Sequence, residues 1–256
     1  MISKGIVYIA TGSRYRSEAA SNLERSRPYL KSFRSCIYTD DTTDPNISSF
    51  DIILKHPCPS FGYRDKILPL LDLPFEYNLF LDSDAFLVYN SSDLFNLLDH
   101  FDFVASQAPV RHPPGWSDSS IPLTFPEFNS GVLLFKKGIS CQRLVSSWIQ
   151  LYDHLKSEFS QNWDQASLRS SVWSLMKSND LNTFVLPPEC NLRTTKPWII
   201  GRGMPAYVIH GRVNSAELHP FISYLNDDIN RFRYWTEWLQ YYPESSIRPR
   251  HDRTFN

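Results

Sequence analysis

Two aspartates separated by one residue, Asp82 and Asp84, follow the apolar run Leu79-Phe80-Leu81. In extended chain, residues two apart point to the same side, so a strand running into Asp82-Ser83-Asp84 presents both carboxylates together. Adjacent carboxylates repel one another unless a cation lies between them, and hard oxygen ligands suit Mg2+ or Mn2+. Open α/β sheets bind ligands at the carboxyl ends of their strands. The pair is therefore a candidate metal site for a phosphate-bearing substrate. The bland alternative is a pair of loop aspartates ahead of a helix that starts near Ser91 or Ser92. That spacing is common by chance, so the surrounding elements have to decide.

Those elements read as an α/β domain. Gly5 to Ala10 is a β-branched and aromatic strand ending in Thr11-Gly12-Ser13, and a helix-compatible segment follows to about Leu30. A strand, a small-residue loop and a helix open a nucleotide-binding unit, but no G-x-G-x-x-G is present, so a dinucleotide is not indicated. Tyr15, just past the loop, is placed to stack on a nucleobase or to lie on the surface. Cys36–Thr39 and Asp51–Leu54 read as strands, with Asp40 and Asp41 between them, and 61–73 reads as a helix carrying Arg64, Asp65 and Lys66 at its start. Cations at a helix N-terminus oppose its dipole, and a bound anion would relieve that conflict.

After the Asp82/Asp84 strand, the pattern predicts a helix over 92–99, a strand over 101–105 and a strand over 129–135. It then predicts helices over 139–159 and 163–176, a strand over 183–186 and a last strand over 206–210. Five prolines and Trp116 lie between residues 108 and 128, where neither a helix nor a central strand is expected; long loops of this kind are lids or binding loops. Asp164 opens a helix, where an acid is favoured by the dipole in any case. His210 ends a strand, as a ligand or as a hydrogen-bonded structural histidine. Residues 189–205 read as irregular. The chain is expected to divide into a main domain, 1–219, and an aromatic, then basic, helical extension, 220–256, that docks on the main domain.

Composition narrows the function classes. At 256 residues the chain can bury a substantial core, and 42% hydrophobic with 21% charged residues is ordinary for a globular protein. A formal net charge of −1 argues against a nucleic-acid binder. The cysteines Cys36, Cys58, Cys141 and Cys190 form no C-x-x-C pair and read as free thiols. No signal peptide and no apolar run of ~20 residues is recognisable, so a cytoplasmic protein is expected, with peripheral membrane contact open to the tail.

Taken in order, Tyr8-Ile-Ala-Thr-Gly, Lys66, Leu81-Asp-Ser-Asp, Asp93-Leu-Phe, Phe128-Asn-Ser-Gly-Val, Trp163-Asp-Gln and His210-Gly-Arg resemble GT-A-type nucleotide-sugar glycosyltransferases. The likeness is strongest to the glycogenin and lipopolysaccharide galactosyltransferase group, glycosyltransferase family 8, and spans about 5–212. The resemblance implies a Rossmann-like mixed sheet flanked by helices and transfer of a sugar from a nucleotide-diphosphate donor, a UDP-sugar foremost, to a glycan or glycolipid. It implies that Thr11, Gly12 and Tyr15 hold the nucleobase, with Asp40 or Asp41 near the nucleoside and Lys66 and Ser83 on the donor. Asp82, Asp84 and His210 would bind Mn2+ or Mg2+. Asn129, Ser130, Asp164 and Gln165 would line the sugar and reacting carbon, and retention is favoured over inversion; independently of the resemblance, the length and aromatic content of the proline-rich loop make Trp116 the expected acceptor contact. The group often places a Lys-Pro-Trp after the histidine; here Arg212 follows it and Lys196-Pro197-Trp198 lies upstream, leaving Arg212 to neutralise the diphosphate.

Two other classes are compatible with parts of the pattern. A haloacid-dehalogenase-type phosphohydrolase also carries Asp-x-Asp after an apolar strand, but near the N-terminus and before Gly-Thr, where this chain has Ala85-Phe86. A non-catalytic nucleotide-sugar-binding domain would keep the fold without needing Asp82, Asp84, Asp164 and His210 all intact.

Overall fold

The computed structural model describes residues 3–30, 33–110 and 117–250. Its order is β1 (Lys4–Ala10), α1 (Ser13–Leu30), β2 (Arg34–Thr39), β3 (Ile52–Lys55), β4 (Tyr77–Leu81), β5 (Ala85–Leu87), α2 (Ser92–Asn96), β6 (Phe103–Gln107) and β7 (Phe128–Lys136). There follow α3 (Ile139–Phe159), α4 (Asp164–Lys177), β8 (Thr183–Leu186), β9 (Leu192–Arg193), β10 (Ile199–Ile200), β11 (Val208–His210), α5 (Ser215–Asn226), β12 (Arg233–Tyr234) and α6 (Trp235–Tyr241). Seven strands form one mixed sheet in the order β3-β2-β1-β4-β7-β6-β8, in which β7 runs antiparallel to β4 and β6. A small sheet, β5-β11-β9, stands at the carboxyl end of β4.

Period-2 alternation distributes the strands between two cores. Ile6, Tyr8 and Ala10 of β1, Leu79 and Leu81 of β4, and Val132 and Leu134 of β7 pack with α1 and α2 on one face. Val7, Ile9, Phe80, Leu133 and Phe135 pack with Leu144, Val145 and Trp148 of α3 and Leu168 of α4 on the other. Strands buried on both faces need continuous apolar runs, which is why these segments stand out in the sequence. A third cluster joins Phe86 and Val88, just past the aspartates, to Ile209 of β11 and to Phe221, Leu225 and Trp238 of α5 and α6. The aromatic residues of α5 and α6 thus pack on Phe86, Val88 and Ile209, and residues 219 and 220 both lie within α5.

Three local expectations change. The helix expected over 61–73 is two 3-10 turns, Tyr63–Lys66 and Leu68–Asp72. Pro69 removes a backbone donor and disfavours α geometry in the residue before it, and Phe61 takes the left-handed φ of 57°. The helix expected over 92–99 tightens to 3-10 geometry over Leu97–Asp99. The stretch expected to be irregular over 189–205 contains β9 and β10, two residues each.

Candidate active site

The sheet topology brings the two aspartates and the histidine to one point. Asp82 leaves β4 with its N–H donating to the Gly131 carbonyl of β7 at 2.8 Å, and the Ala85 N–H turns back onto the Asp82 carbonyl at 2.9 Å. Strand β11 then pairs with β5 so that His210 lies opposite Ala85. His210 Nε2 is 3.4 Å from Asp84 Oδ1 and 3.7 Å from Asp82 Oδ2. One ligand atom from each of Asp82, Asp84 and His210 lies within 4.8 Å of the others. Two carboxylate oxygens and an imidazole nitrogen so arranged fit Mn2+ or Mg2+.

Glycines make room for this convergence. A Cβ on Gly131 would lie 2.3 Å from His210 Cε1 and 2.5 Å from Asp82 Oδ2. Gly211 has φ +132°, donates its N–H to the Asp84 carbonyl at 2.8 Å, and would meet Thr194 Oγ1 at 2.0 Å if it carried a Cβ.

Lys66 stands beside the aspartates. Its Nζ is 3.4 Å from Asp82 Oδ1 and 3.1 Å from Asp164 Oδ2, and it donates to Ser130 Oγ at 2.9 Å. Burial alone would lower the lysine pKa, but the Asp164 and Asp82 charges outweigh it and hold the ammonium protonated. Burial also pushes the Asp82 carboxyl up, against the pull of Lys66 and His210. The Asp84 carboxyl falls well below the usual range because His210, then Arg212 and Arg193, outweigh its desolvation. Asp82 thus gains further from a cation than the protein's own charges provide, and this supports the fit of a metal ion.

The walls of the cavity, about 490 Å³, come from Thr11, Tyr15, Phe61, Tyr63, Asp65, Ser83, Asn129, Ser130, Trp163, Asp164, Gln165, Arg193 and Arg212. Asp65 is buried and accepts from Thr11 Oγ1 at 2.7 Å, from the Ser60 N–H at 2.7 Å and from the Phe61 N–H at 2.8 Å. Burial would raise its pKa, but the Ser60 and Thr11 hydrogen bonds outweigh it, and the carboxyl sits below its ordinary value. Glu18 of α1 takes Ser83 Oγ at 2.9 Å and Arg212 Nε at 2.7 Å, holding Arg212 within 4.0 Å of Asp84. Asp164, the first residue of α4, has a side chain only 3% exposed.

Of the residues singled out in the sequence, Thr11, Tyr15, Lys66, Asp82, Ser83, Asp84, Asn129, Ser130, Asp164, Gln165, His210 and Arg212 line this one cavity. Gly12 and Asp40 stand behind the wall, where the Gly12 N–H donates to Asp40 Oδ1 at 2.8 Å and Arg16 pairs with the same oxygen at 2.7 Å. Trp116 lies outside the described residues. Sequence reasoning missed Phe61, Tyr63, Asp65, Arg193 and the tie from Asn191 to His210. Asp65 stood in the charged cluster before Lys66; a carboxylate beside Ser60 and an apolar ring was the available signal.

No known protein-family model matches the chain, and no curated protein matches it in sequence. Its fold is that of the GT-A glycosyltransferases, a mixed sheet flanked by helices. Among solved structures it is similar to the galactosyltransferase LgtC in complex with donor and acceptor sugar analogs, at a TM-score of 0.55 and 11% identity over 86% of this chain and 95% of that one. An active-site mutant of LgtC gives 0.54 over the same shares.

Proposed function

We propose that the protein is a metal-dependent glycosyltransferase that moves a sugar from a nucleotide-diphosphate donor, UDP-linked in the first instance, to a glycan or glycolipid acceptor. The convergence of Asp82, Asp84 and His210 on one point, with Lys66 and Arg212 beside it, carries this reading. When bound there, a divalent cation supplies positive charge against the diphosphate as it leaves. The chain's own residues do the rest. Lys66 and Arg212 add fixed cations aimed at the same leaving group. Tyr15 and the Thr11 loop offer a ring face and polar groups to the nucleobase. Asn129, Ser130, Asp164 and Gln165 hold the sugar hydroxyls, and Trp116 meets the acceptor.

Retention fits the commitments of the cavity's carboxylates. Asp65 accepts from the Thr11 and Ser60 hydroxyls and two backbone N–H groups, Asp82 and Asp84 face His210, and Asp164 is paired with Lys66. An inverting reaction needs a free carboxylate base on the acceptor hydroxyl. In the retaining alternative the bond from the anomeric carbon to phosphate oxygen breaks and the bond to the acceptor oxygen forms on the same face. The acceptor's proton passes to the departing phosphate.

The test is a thermal-shift and turnover screen of nucleotide-sugars with and without Mn2+. A ligand bound only by the folded state raises Tm. Metal-dependent stabilisation by one nucleotide-sugar, lost in Asp82→Ala, and sugar release with the donor's anomeric configuration are expected. Phosphate release from a phosphomonoester with no response to nucleotide-sugars would instead mark a phosphohydrolase; binding without turnover would mark a binding domain.

A further inference from the structure

We propose that Asn191 and Asn129 form a relay that dictates which ring nitrogen of His210 carries the proton, leaving Nε2 with a lone pair aimed between Asp82 and Asp84. The role for that lone pair rests on the metal reading above; the relay itself does not. The backbone N–H of Gly131 is a donor, and it points at the side-chain amide of Asn129 at 3.2 Å, so the atom there is the oxygen, Oδ1. The same oxygen is approached at 2.8 Å by the Asn191 amide, which must therefore present its nitrogen. Asn191 then turns its own Oδ1 to His210 Nδ1, 3.0 Å away. An amide oxygen only accepts, so Nδ1 carries the hydrogen. A neutral imidazole holds one hydrogen, and Nε2 is left as the acceptor that faces the two carboxylates.

The positions are held by the fold. Asn129 and Gly131 are two residues apart on β7 and share a side. Asn191 immediately precedes β9, which pairs in parallel with β11 so that Ile209 lies opposite Leu192 and His210 opposite Arg193. All three relay side chains are buried, with Asn129 2%, Asn191 6% and His210 5% exposed, so water does not compete for these bonds. With a second proton on Nε2 the ring is an imidazolium that meets Asp84, 3.4 Å away; without it the lone pair faces two carboxylates, an arrangement favourable only around a cation. The relay thus prepares the ligand before the ion arrives, as metal-bound histidines generally require from the partner of their other nitrogen. Asn129 acquires a positioning role alongside any contact it makes to the sugar.

The first measurement uses the metal-free, nitrogen-15-labelled full chain, raised in pH until the His210 ring signals themselves report the neutral form. The ring signals of His210, assigned by their loss in His210→Gln, should report the Nδ1–H tautomer. In Asn191→Leu they should shift to Nε2–H or to a mixture, and Mn2+ affinity read by electron paramagnetic resonance should fall about 10- to 100-fold. Asn191→Asp keeps an acceptor on Nδ1 and should restore Nδ1–H, but at a cost in stability, because its second oxygen meets Asn129 Oδ1 where the amide nitrogen donated. An Nε2–H ring in the wild type overturns the relay even if Asn191→Leu does not fold. So does an Asn191→Leu protein that keeps both the tautomer and the Mn2+ affinity. A wild type that shows Nδ1–H but binds no Mn2+ leaves the relay standing and overturns the metal reading instead.

Discussion

Replacing Gly131 by alanine adds one methyl group, and the structure fixes where it goes. The new Cβ would stand 2.3 Å from His210 Cε1, 2.5 Å from Asp82 Oδ2 and 2.9 Å from Asp82 Cγ. Ordinary carbon contacts are ~3.5 Å or longer, so the histidine ring and the carboxylate must each withdraw by roughly 1 Å. Neither has a free path, because His210 is held by Asn191 and Asp82 by its N–H bond to the same β7 residue. Overpacking of this kind costs about 1–3 kcal/mol. In a chain of this size each kcal/mol moves Tm by roughly 2–4 °C, so metal-free Gly131→Ala should melt about 2–12 °C below wild type. The functional loss should be larger, because a ~1 Å misplacement of reacting groups costs on the order of 100-fold in rate. Scanning calorimetry of the metal-free protein reads the first effect and donor turnover the second, while a Mn2+ titration reports the displaced carboxylate and imidazole directly. A Gly131→Ala protein with wild-type Tm and wild-type Mn2+ affinity would refute the close approach of Asp82, Gly131 and His210 on which the site is built.

Three further outcomes follow from paired side chains in and beyond the cavity wall. Asp65→Asn should destabilise the fold by about 2–3 kcal/mol at neutral pH, because an amide cannot accept from all the donors now aimed at the carboxylate. The folded pKa of Asp65 is depressed, so its contribution is complete above the ordinary carboxyl value of ~3.9 and fades as pH falls through the folded value. Urea midpoints of wild type and Asp65→Asn should therefore converge below about pH 4. Arg169→Met breaks a buried ion pair with Glu127 at 3.3 Å and strips the carbonyls of Pro122 and Phe125 of their donor, so a loss of about 3–5 kcal/mol in denaturant unfolding is expected. Glu18→Ala releases Arg212, which is 57% exposed and loses its bidentate partner, and the donor KM should rise by about 3- to 10-fold, the 1 kcal/mol scale of one partly exposed ion pair.

Which parts of this were legible in the sequence follows from how local their signals are. The strand ending in Asp82-Ser83-Asp84 could be read because a doubly buried strand must be apolar throughout and its end must turn polar. His210 and Asp164 were visible as a strand end and a helix start. Asn191 was not, because β9 is two residues long and exists only through pairing with β11, which no local pattern encodes. The partnership of Glu18 with Arg212 joins residues 194 apart and had no periodicity to betray it. Phe61 was hidden inside an expected helix. Its φ of 57°, costly for an aromatic residue, persists because the buried Asp65 carboxylate anchors its N–H.

Two of the candidate ligand positions, Asp82 and His210, are supported by different clusters of packed side chains. Asp82 rides on β4, whose residues belong to the two cores flanking the large sheet. His210 ends β11, whose neighbour Ile209 belongs to the third cluster with Phe221, Leu225 and Trp238 of the tail. Val208 of the same strand belongs to the first core, so β11 already joins the clusters, and a cation held by Asp82, Asp84 and His210 would add a second tie at that junction. Occupancy should then raise the unfolding midpoint by tightening a junction that packing already makes. The aromatic tail, far from the chemistry along the chain, is in this sense part of the support behind His210.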